Sequence, residues 1–381
     1  MTYLETFKTQ FSSIFKNRGL MILLFIGPIF LTLLFGGVYV NDYLEDIPTA
    51  ILDEDGSSLS RMATDYFLKS QYFDIKNYPN SREELQELID SGKAQLGIYI
   101  PTGFESDVTT YQSSQVLLIM DGSNNVVAGN AYAKAFEIGQ TISAGIEMKL
   151  IQGKGVTPQI AENMTLIYNL RDRVLFDSKM TYMNYLMICF FAIFLQQMFL
   201  SSIGSMLIRN NEYLASGNVL SRILATSNVC MVGLVPASIV SMLILKYLFH
   251  IPMIGRVWIF VLLTITFLFA ITGPALVIAS LTQARVKYSQ ISFMLSVPVF
   301  ISSGIAWPVE QMPKLVEWIV RALWPMINYA KIGQEVLIKG REFHTVIPSI
   351  MGMIIYGLVW LTIGVLLYIR AFSKDGSELV A

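Results

Sequence analysis

LMILLFIGPIFLTLLFGGVYV, Leu20 to Val40, is the stretch that decides the fold class. It carries no charged side chain, and as a helix it reaches about 30 Å, the thickness of a bilayer's hydrocarbon core. Pro28 predicts a kink within it. Lys8, Lys16 and Arg18 precede the run, and Asp42, Glu45 and Asp46 follow it. That asymmetry places the N-terminus in the cytoplasm.

Upstream, Thr2 to Arg18 is amphipathic. Leu4, Phe7, Phe11, Ile14 and Phe15 recur at helical spacing, while Glu5, Lys8, Thr9, Ser12 and Lys16 take the other faces. The pattern predicts an interfacial helix over residues 1–19, lying on the membrane through Phe7, Phe11 and Phe15. A cleavable signal is not expected: the apolar run is too long, and bulky residues follow Gly36-Gly37.

Composition extends the reading to the whole chain. Its 381 residues are 54% hydrophobic and 14% charged, with a mean hydropathy of +0.53. Soluble domains carry about 25% charged residues, so a polytopic membrane protein is expected. A net charge of −1 gives no drive towards nucleic acid. Cys189 and Cys230 lie in apolar runs and read as packing residues. His250 and His344 stand in no metal-ligand spacing. Gly153-Lys154-Gly155 lacks the upstream glycine and following hydroxyl of a phosphate-binding loop. The residues therefore point to no cofactor and no metal on this chain.

Residues 41–178 change character. Charge returns and the apolar runs shorten. Strands are predicted at 49–52, 95–100 and 115–120, and helices at 58–69, 81–91 and 124–152. Ser81-Arg82-Glu83-Glu84 forms a capping box. The alternation predicts an α/β domain outside the membrane, inserted between the first and second spans. Asp53, Asp55 and Asp121 sit at strand ends beside glycine turns, where turn formation outweighs metal or acid–base chemistry.

Five further apolar runs follow, at 180–208, 229–249, 257–281, 291–305 and 346–369. Six spans return the C-terminus to the cytoplasm, so 179–371 reads as a five-span domain with a short tail at 372–381. The loop 209–226, RNNEYLASGNVLSRILAT, then faces the cytoplasm. The fourth of these runs is short and leads into Trp307, Pro308, Glu310 and Pro313. Two prolines bracketing this segment exclude a regular helix through lipid, so 306–340 reads as a broken or re-entrant pair at the outer face. Trp258, Trp307, Trp318 and Trp324 all fall on that side, as an interfacial belt would.

No Asp, Glu, Arg, Lys or His lies near the middle of any of these spans. An ion-coupled carrier needs such residues for its relay, so active transport requires a motor on another chain. The polar residues left are chiefly interhelical hydrogen-bonding groups. Among them Asn184, Gln196, Gln197 and Ser303 are candidates to line a pathway.

Several motifs resemble one family. Ala94-Gln95-Leu96-Gly97-Ile98-Tyr99-Ile100-Pro101-Thr102-Gly103-Phe104 is similar to its strand–Pro–x–Gly–Phe segment. Asp121-Gly122-Ser123-Asn124 within 116–128, and Ser302-Ser303-Gly304-Ile305-Ala306-Trp307-Pro308 running on to Met312-Pro313, resemble two more of its segments. With the order amphipathic helix, span, α/β insert and five spans, the chain resembles the permease subunits of ABC type-2 exporters. The resemblance implies the type V exporter fold in a prokaryotic cell membrane. It implies a second permease, identical or homologous, and separately encoded ATPase subunits that bind ATP and Mg. The loop would then be the ATPase-coupling element, carried by Arg209, Glu212, Tyr213, Gly217, Asn218 and Arg222. The family's loop usually ends in Gly-Thr, and Asn218 replaces that threonine. The family's substrates range over drugs, antibiotics, lipids, polysaccharides and ions, and the uncharged spans with their many Met and Phe residues lean towards an amphipathic, drug-like or lipid-like solute. The other reading of the same layout is a membrane-anchored recognition protein whose insert binds a peptide, phage or envelope partner without transport.

Overall fold

The computed structural model describes residues 3–40, 44–110, 112–158, 175–176, 181–209 and 219–378. Chain contacts divide it into two units, Met1–Asp42 with Val174–Ala381, and Tyr43–Arg173.

The first unit is helical. Helix α1, Tyr3–Lys16, ends where the Asn17 carboxamide accepts from the Gly19 and Leu20 amides and caps the next helix. Helix α2, Arg18–Val38, widens into a π turn at Ile22–Ile26, just before Pro28. Pro28 has no amide to continue the ladder, and its carbonyl takes the Thr32 hydroxyl at 2.7 Å. There follow α7, Tyr182–Arg209; α8, Val219–Tyr247; α9, Val257–Thr282; α10, Arg285–Ile301; α11, Lys314–Leu323; α12, Met326–Lys339; and α13, Phe343–Glu378. Helices α3 to α6 belong to the second unit.

Among the described residues, five helices are long and apolar enough to cross a membrane: Arg18–Val38, Met183–Ile208, Val219–Tyr247, Val257–Thr282 and Phe343–Phe372. Helix α10, the sequence's short fourth run, has 17 residues, with Arg285 and Lys287 in its first turn and Pro298 near its end. Helix α8 starts at Val219, well before the predicted 229. Nothing in Val219 to Asn228 breaks a helix, so the second half of the 209–226 segment is helix, not loop.

Small residues set the helix spacing. A Cβ at Gly273 of α9 would lie 2.3 Å from the Trp360 carbonyl carbon, and one at Gly364 would lie 2.7 Å from the Gly273 oxygen. Helices α9 and α13 therefore touch backbone to backbone, the packing that lipid-embedded helices use in place of a hydrophobic drive. Gly204 of α7 takes the Tyr288 ring of α10 in the same way. Helices α2 and α7 run antiparallel: Gly27 meets Met198, and Phe35 meets Phe194 at 4.8 Å and Phe190 at 5.4 Å.

The second unit is built on a four-stranded sheet in the order β2-β1-β3-β4. Strands β1 (Ile47–Asp53), β2 (Phe73–Asn77) and β3 (Leu96–Ile100) are parallel, and β4 (Leu117–Met120) is antiparallel to β3. Helices α3 (Ser58–Leu68) and α6 (Asn125–Gly153) cover one face, burying Ile51, Phe67, Ile98 and Ala135. Helix α4, Arg82–Asp90, covers the other through Leu85 and Ile89. A Cβ at Gly97 would lie 3.0 Å from both side chains, so glycine lets α4 approach. Helix α5, Phe104–Thr109, follows the left-handed Gly103. Strand β2 and α5 are additions to the elements read from the sequence.

Candidate functional site

The strongest concentration of polar chemistry in the first unit lies on the α11–α12 hairpin. Pro325 bars the preceding residue from the helical region, so Trp324 is extended at φ −147° and α11 stops. Its last carbonyls are orphaned, and α13 supplies the donors. Trp360 Nε1 donates to the Ala322 carbonyl at 2.9 Å, and the Tyr356 hydroxyl to the Leu323 carbonyl at 2.6 Å. Trp324 is buried, and its Nε1 donates to Gln196 Oε1 at 2.5 Å.

These bonds measure depth. Gln196 stands halfway along α7, and Trp360 lies near the middle of the apolar stretch of α13. Two independent helices thus place the hairpin tip at the mid-length of the spans. Trp324 is not a belt residue, whereas Trp258, Trp307 and Trp318 are exposed.

Polar groups descend with the hairpin. The Glu317 carboxylate accepts from Lys314 Nζ at 3.3 Å and Arg321 Nε at 3.0 Å, and Arg321 Nη1 reaches Asn328 Oδ1 at 3.4 Å. Lys331 Nζ donates to Glu310 Oε1 at 2.6 Å. Pro313 opens α11, its carbonyl accepting from the Glu317 amide. Pro308 opens the 3₁₀ turn Val309–Gln311, and Trp307 beside it is exposed. Ionisable groups are thus absent from the middles of the five long helices yet present on the hairpin between them, a distinction the span-by-span sequence reading missed.

The four pathway candidates divide. Asn184 lines a cleft of about 300 Å³ with Tyr185, Gly304, Lys331 and Gln334. Gln196 is fully buried, and its Nε2 has no partner among the described residues. Gln197 accepts from the Ser296 hydroxyl of α10 at 2.6 Å and donates to Ser201. Ser303 accepts from the Ile305 amide and lies 3.6 Å from Cys189 Sγ. Gln197 therefore binds α7 to α10, while Gln196 holds Trp324 of the hairpin and Ser303 stands in the turn after α10 against Cys189 of α7.

At the other end of the spans, Glu212, Tyr213, Gly217 and Asn218 lie outside the described residues. Arg209 is the last residue of α7, and Arg222 falls in the first turns of α8. Arg222 lines a narrow crevice with Met206, Val219 and Tyr368, and Tyr368 donates to the Leu207 carbonyl at 2.9 Å. Beside them α1 buries Thr6, Gln10 and Ile14, and Tyr3 accepts from Asn228 Nδ2 at 2.7 Å. Phe7, Phe11 and Phe15 form a ladder of rings that continues to Phe25, with Phe15 exposed. The face turned into the protein is mixed, Thr6 and Gln10 with Ile14, and Phe7 and Phe11 pack at its edge, whereas Leu4 and Phe15 are exposed with Glu5, Lys8, Thr9, Ser12 and Lys16.

In the second unit the carboxylates serve turns. Asp53 Oδ1 accepts from the Asp55 and Gly56 amides. Asp55 accepts from the Gly103 and Glu105 amides. The Ser57 hydroxyl and those amides hold the Asp55 carboxyl below its ordinary range. Asp121 accepts from the Ser123 amide, and Ser123 likewise lowers it.

Comparison with known proteins fits this geometry. Residues 18–366 match the family described as ABC-2 family transporter protein. The probable multidrug ABC transporter permease YbhR of Escherichia coli K12 is 23% identical over 321 residues, 80% of this chain and 82% of that protein. The inner membrane transport permease YhhJ of the same strain is 23% identical over 330 residues, 84% of each chain. ABC transporter G family member 20 of Dictyostelium discoideum is 24% identical over 140 residues, 37% of this chain and 19% of that protein. With the family match running from the first long helix into the last, this chain belongs to the ABC-2 family of transporter proteins.

Proposed function

We propose that this chain is the membrane permease of an ABC exporter. It moves an amphipathic, drug-like or lipid-like solute out of a prokaryotic cell. Two permeases, identical or homologous, work with separate nucleotide-binding subunits that hydrolyse ATP with Mg. The family match across the spans carries the reading, and the names of YbhR and YhhJ as permeases support it. The chain crosses the membrane six times, with both termini inside and residues 41–178 outside. Helix α10 and the hairpin share the remaining crossing. The ATPase docks on α1 and the 209–226 segment.

The near-end bonds suit that division of labour. Tyr368 ties α13 to the last turn of α7, so a push at the segment after Arg209 is shared among α7, α8 and α13. The test is copurification and coupling. A nucleotide-binding subunit is expected to copurify with the chain in detergent. Glu212→Ala is expected to lower solute-stimulated ATP hydrolysis by about tenfold, the loss of one charge-assisted contact. If no ATPase copurifies and Glu212→Ala leaves export unchanged, the reading fails.

A further inference from the structure

Helix α12 is two-faced along its whole length. Met326, Ile327, Tyr329, Ala330, Val336 and Leu337 are buried, with the Tyr329 ring stacked 4.2 Å from Phe267 and its hydroxyl 3.0 Å from Thr264. The other face carries Asn328, Lys331, Gln334, Glu335 and Lys339 and is half-buried to exposed. The spacing of three and four residues makes this one continuous stripe. It begins four residues after Trp324, at the mid-length of the spans, and climbs to the end where α7, α9 and α13 start.

Acyl chains cannot solvate such a stripe. Arg321, beside its deep end, has five N–H donors, and the described residues take two of them, on Glu317 and Asn328. Its side chain remains 41% exposed. The about 300 Å³ cleft opens along the same stripe at Lys331, Gln334 and Glu335. Charged groups at this depth occur where they face water or a polar partner.

We infer that the α12 stripe lines a water-filled vestibule running from the outer rim to the level of Gln196 and Trp324. A solute reaching that level meets outside water. The permeability barrier is therefore confined to the other half of the spans, where Phe199, Leu200, Ile203, Leu268 and Ile271 are buried. The inference rests on the proposed orientation, and its test separates the two.

The test is cysteine accessibility in intact cells, with Asn328→Cys, Lys331→Cys and Gln334→Cys made singly. Both natural cysteines, Cys189 and Cys230, are buried and leave a quiet background. A membrane-impermeant maleimide added outside is expected to label all three. Asn328→Cys should react within about tenfold of the rim position, because exposure governs thiol reactivity. Ala330→Cys, on the buried face, should stay unlabelled. An unreactive Asn328→Cys beside a reactive Gln334→Cys overturns the inference, because the deep end is then dry. Labelling only from the cytoplasmic side also overturns it, through the orientation, and is distinguishable because the thiols still react.

Discussion

Gln196 holds the tip of the hairpin with one half of its amide, and the other half has no partner among the described residues. A buried donor without a partner costs about 1–3 kcal/mol, so the group sits in tension with its surroundings. Replacing Trp324 by Phe alone should destabilise the chain by orphaning the Gln196 oxygen as well. Adding Gln196→Leu should recover part of the loss, with a coupling of about 0.5–2 kcal/mol in a double-mutant cycle of thermal unfolding in detergent. A coupling of zero would mean that the bond holds nothing. Gly273 is less forgiving. Valine there drives Cβ into the Trp360 backbone, and overpacking costs about 1–3 kcal/mol or more. Loss of folded protein on size exclusion is the expected outcome, with Gly37→Val, where nothing lies near, as the harmless control.

The hairpin and α13 act as one element. Tyr356→Phe with Trp360→Phe removes both donors that cap α11, whose own residues are almost all exposed. Hydrogen exchange in Arg321 to Leu323 should rise by about tenfold or more, one or two lost hydrogen bonds' worth, while α9 stays protected. Unchanged exchange would show that α11 is held by something else. The break itself was legible, because Trp324-Pro325 forces it by local sterics. Its depth was not, because the groups that fix it, Gln196, Tyr356 and Trp360, are remote in sequence. For the same reason Trp324 reads as a belt residue until its partner is known. Strand β2, FDIKN, is short and carries two charges, so it lacks the apolar alternation that marked β1 and β3. Helix α8 begins before the expected 229–249 run because Arg222 and Asn228 interrupt the apolar pattern without breaking the helix. The site residues from Asn210 to Asn218 rest on the family resemblance alone.

At the scale of the molecule, the second unit's stability should depend on acid. Asp55, Glu83 and Asp121 are all held below their ordinary range, Asp55 chiefly by Ser57, Glu83 by its own amide and Ser81, and Asp121 by Ser123. Carboxyls lowered in the folded state contribute stability that is complete above their unfolded values. That contribution is lost as pH falls through the folded ones. Thermal unfolding of the purified chain should be level from neutral pH down to about 5 and fall below about 4, where aspartate protonates. Asp55→Asn should blunt the fall, and an unaltered acid limb would remove Asp55 from the account. Deleting residues 47–177 should abolish export while leaving an ATPase bound, since the proposed docking elements lie elsewhere. The antiparallel contact of α2 with α7, Gly27 on Met198 and Phe35 on Phe194, makes that deletion reasonable. Because the two flanking helices already lie side by side, the chain between them is a loop closed in advance. A graft of almost any length can be spliced there at little entropic cost. The membrane part can then keep its packing whatever folds between α2 and α7.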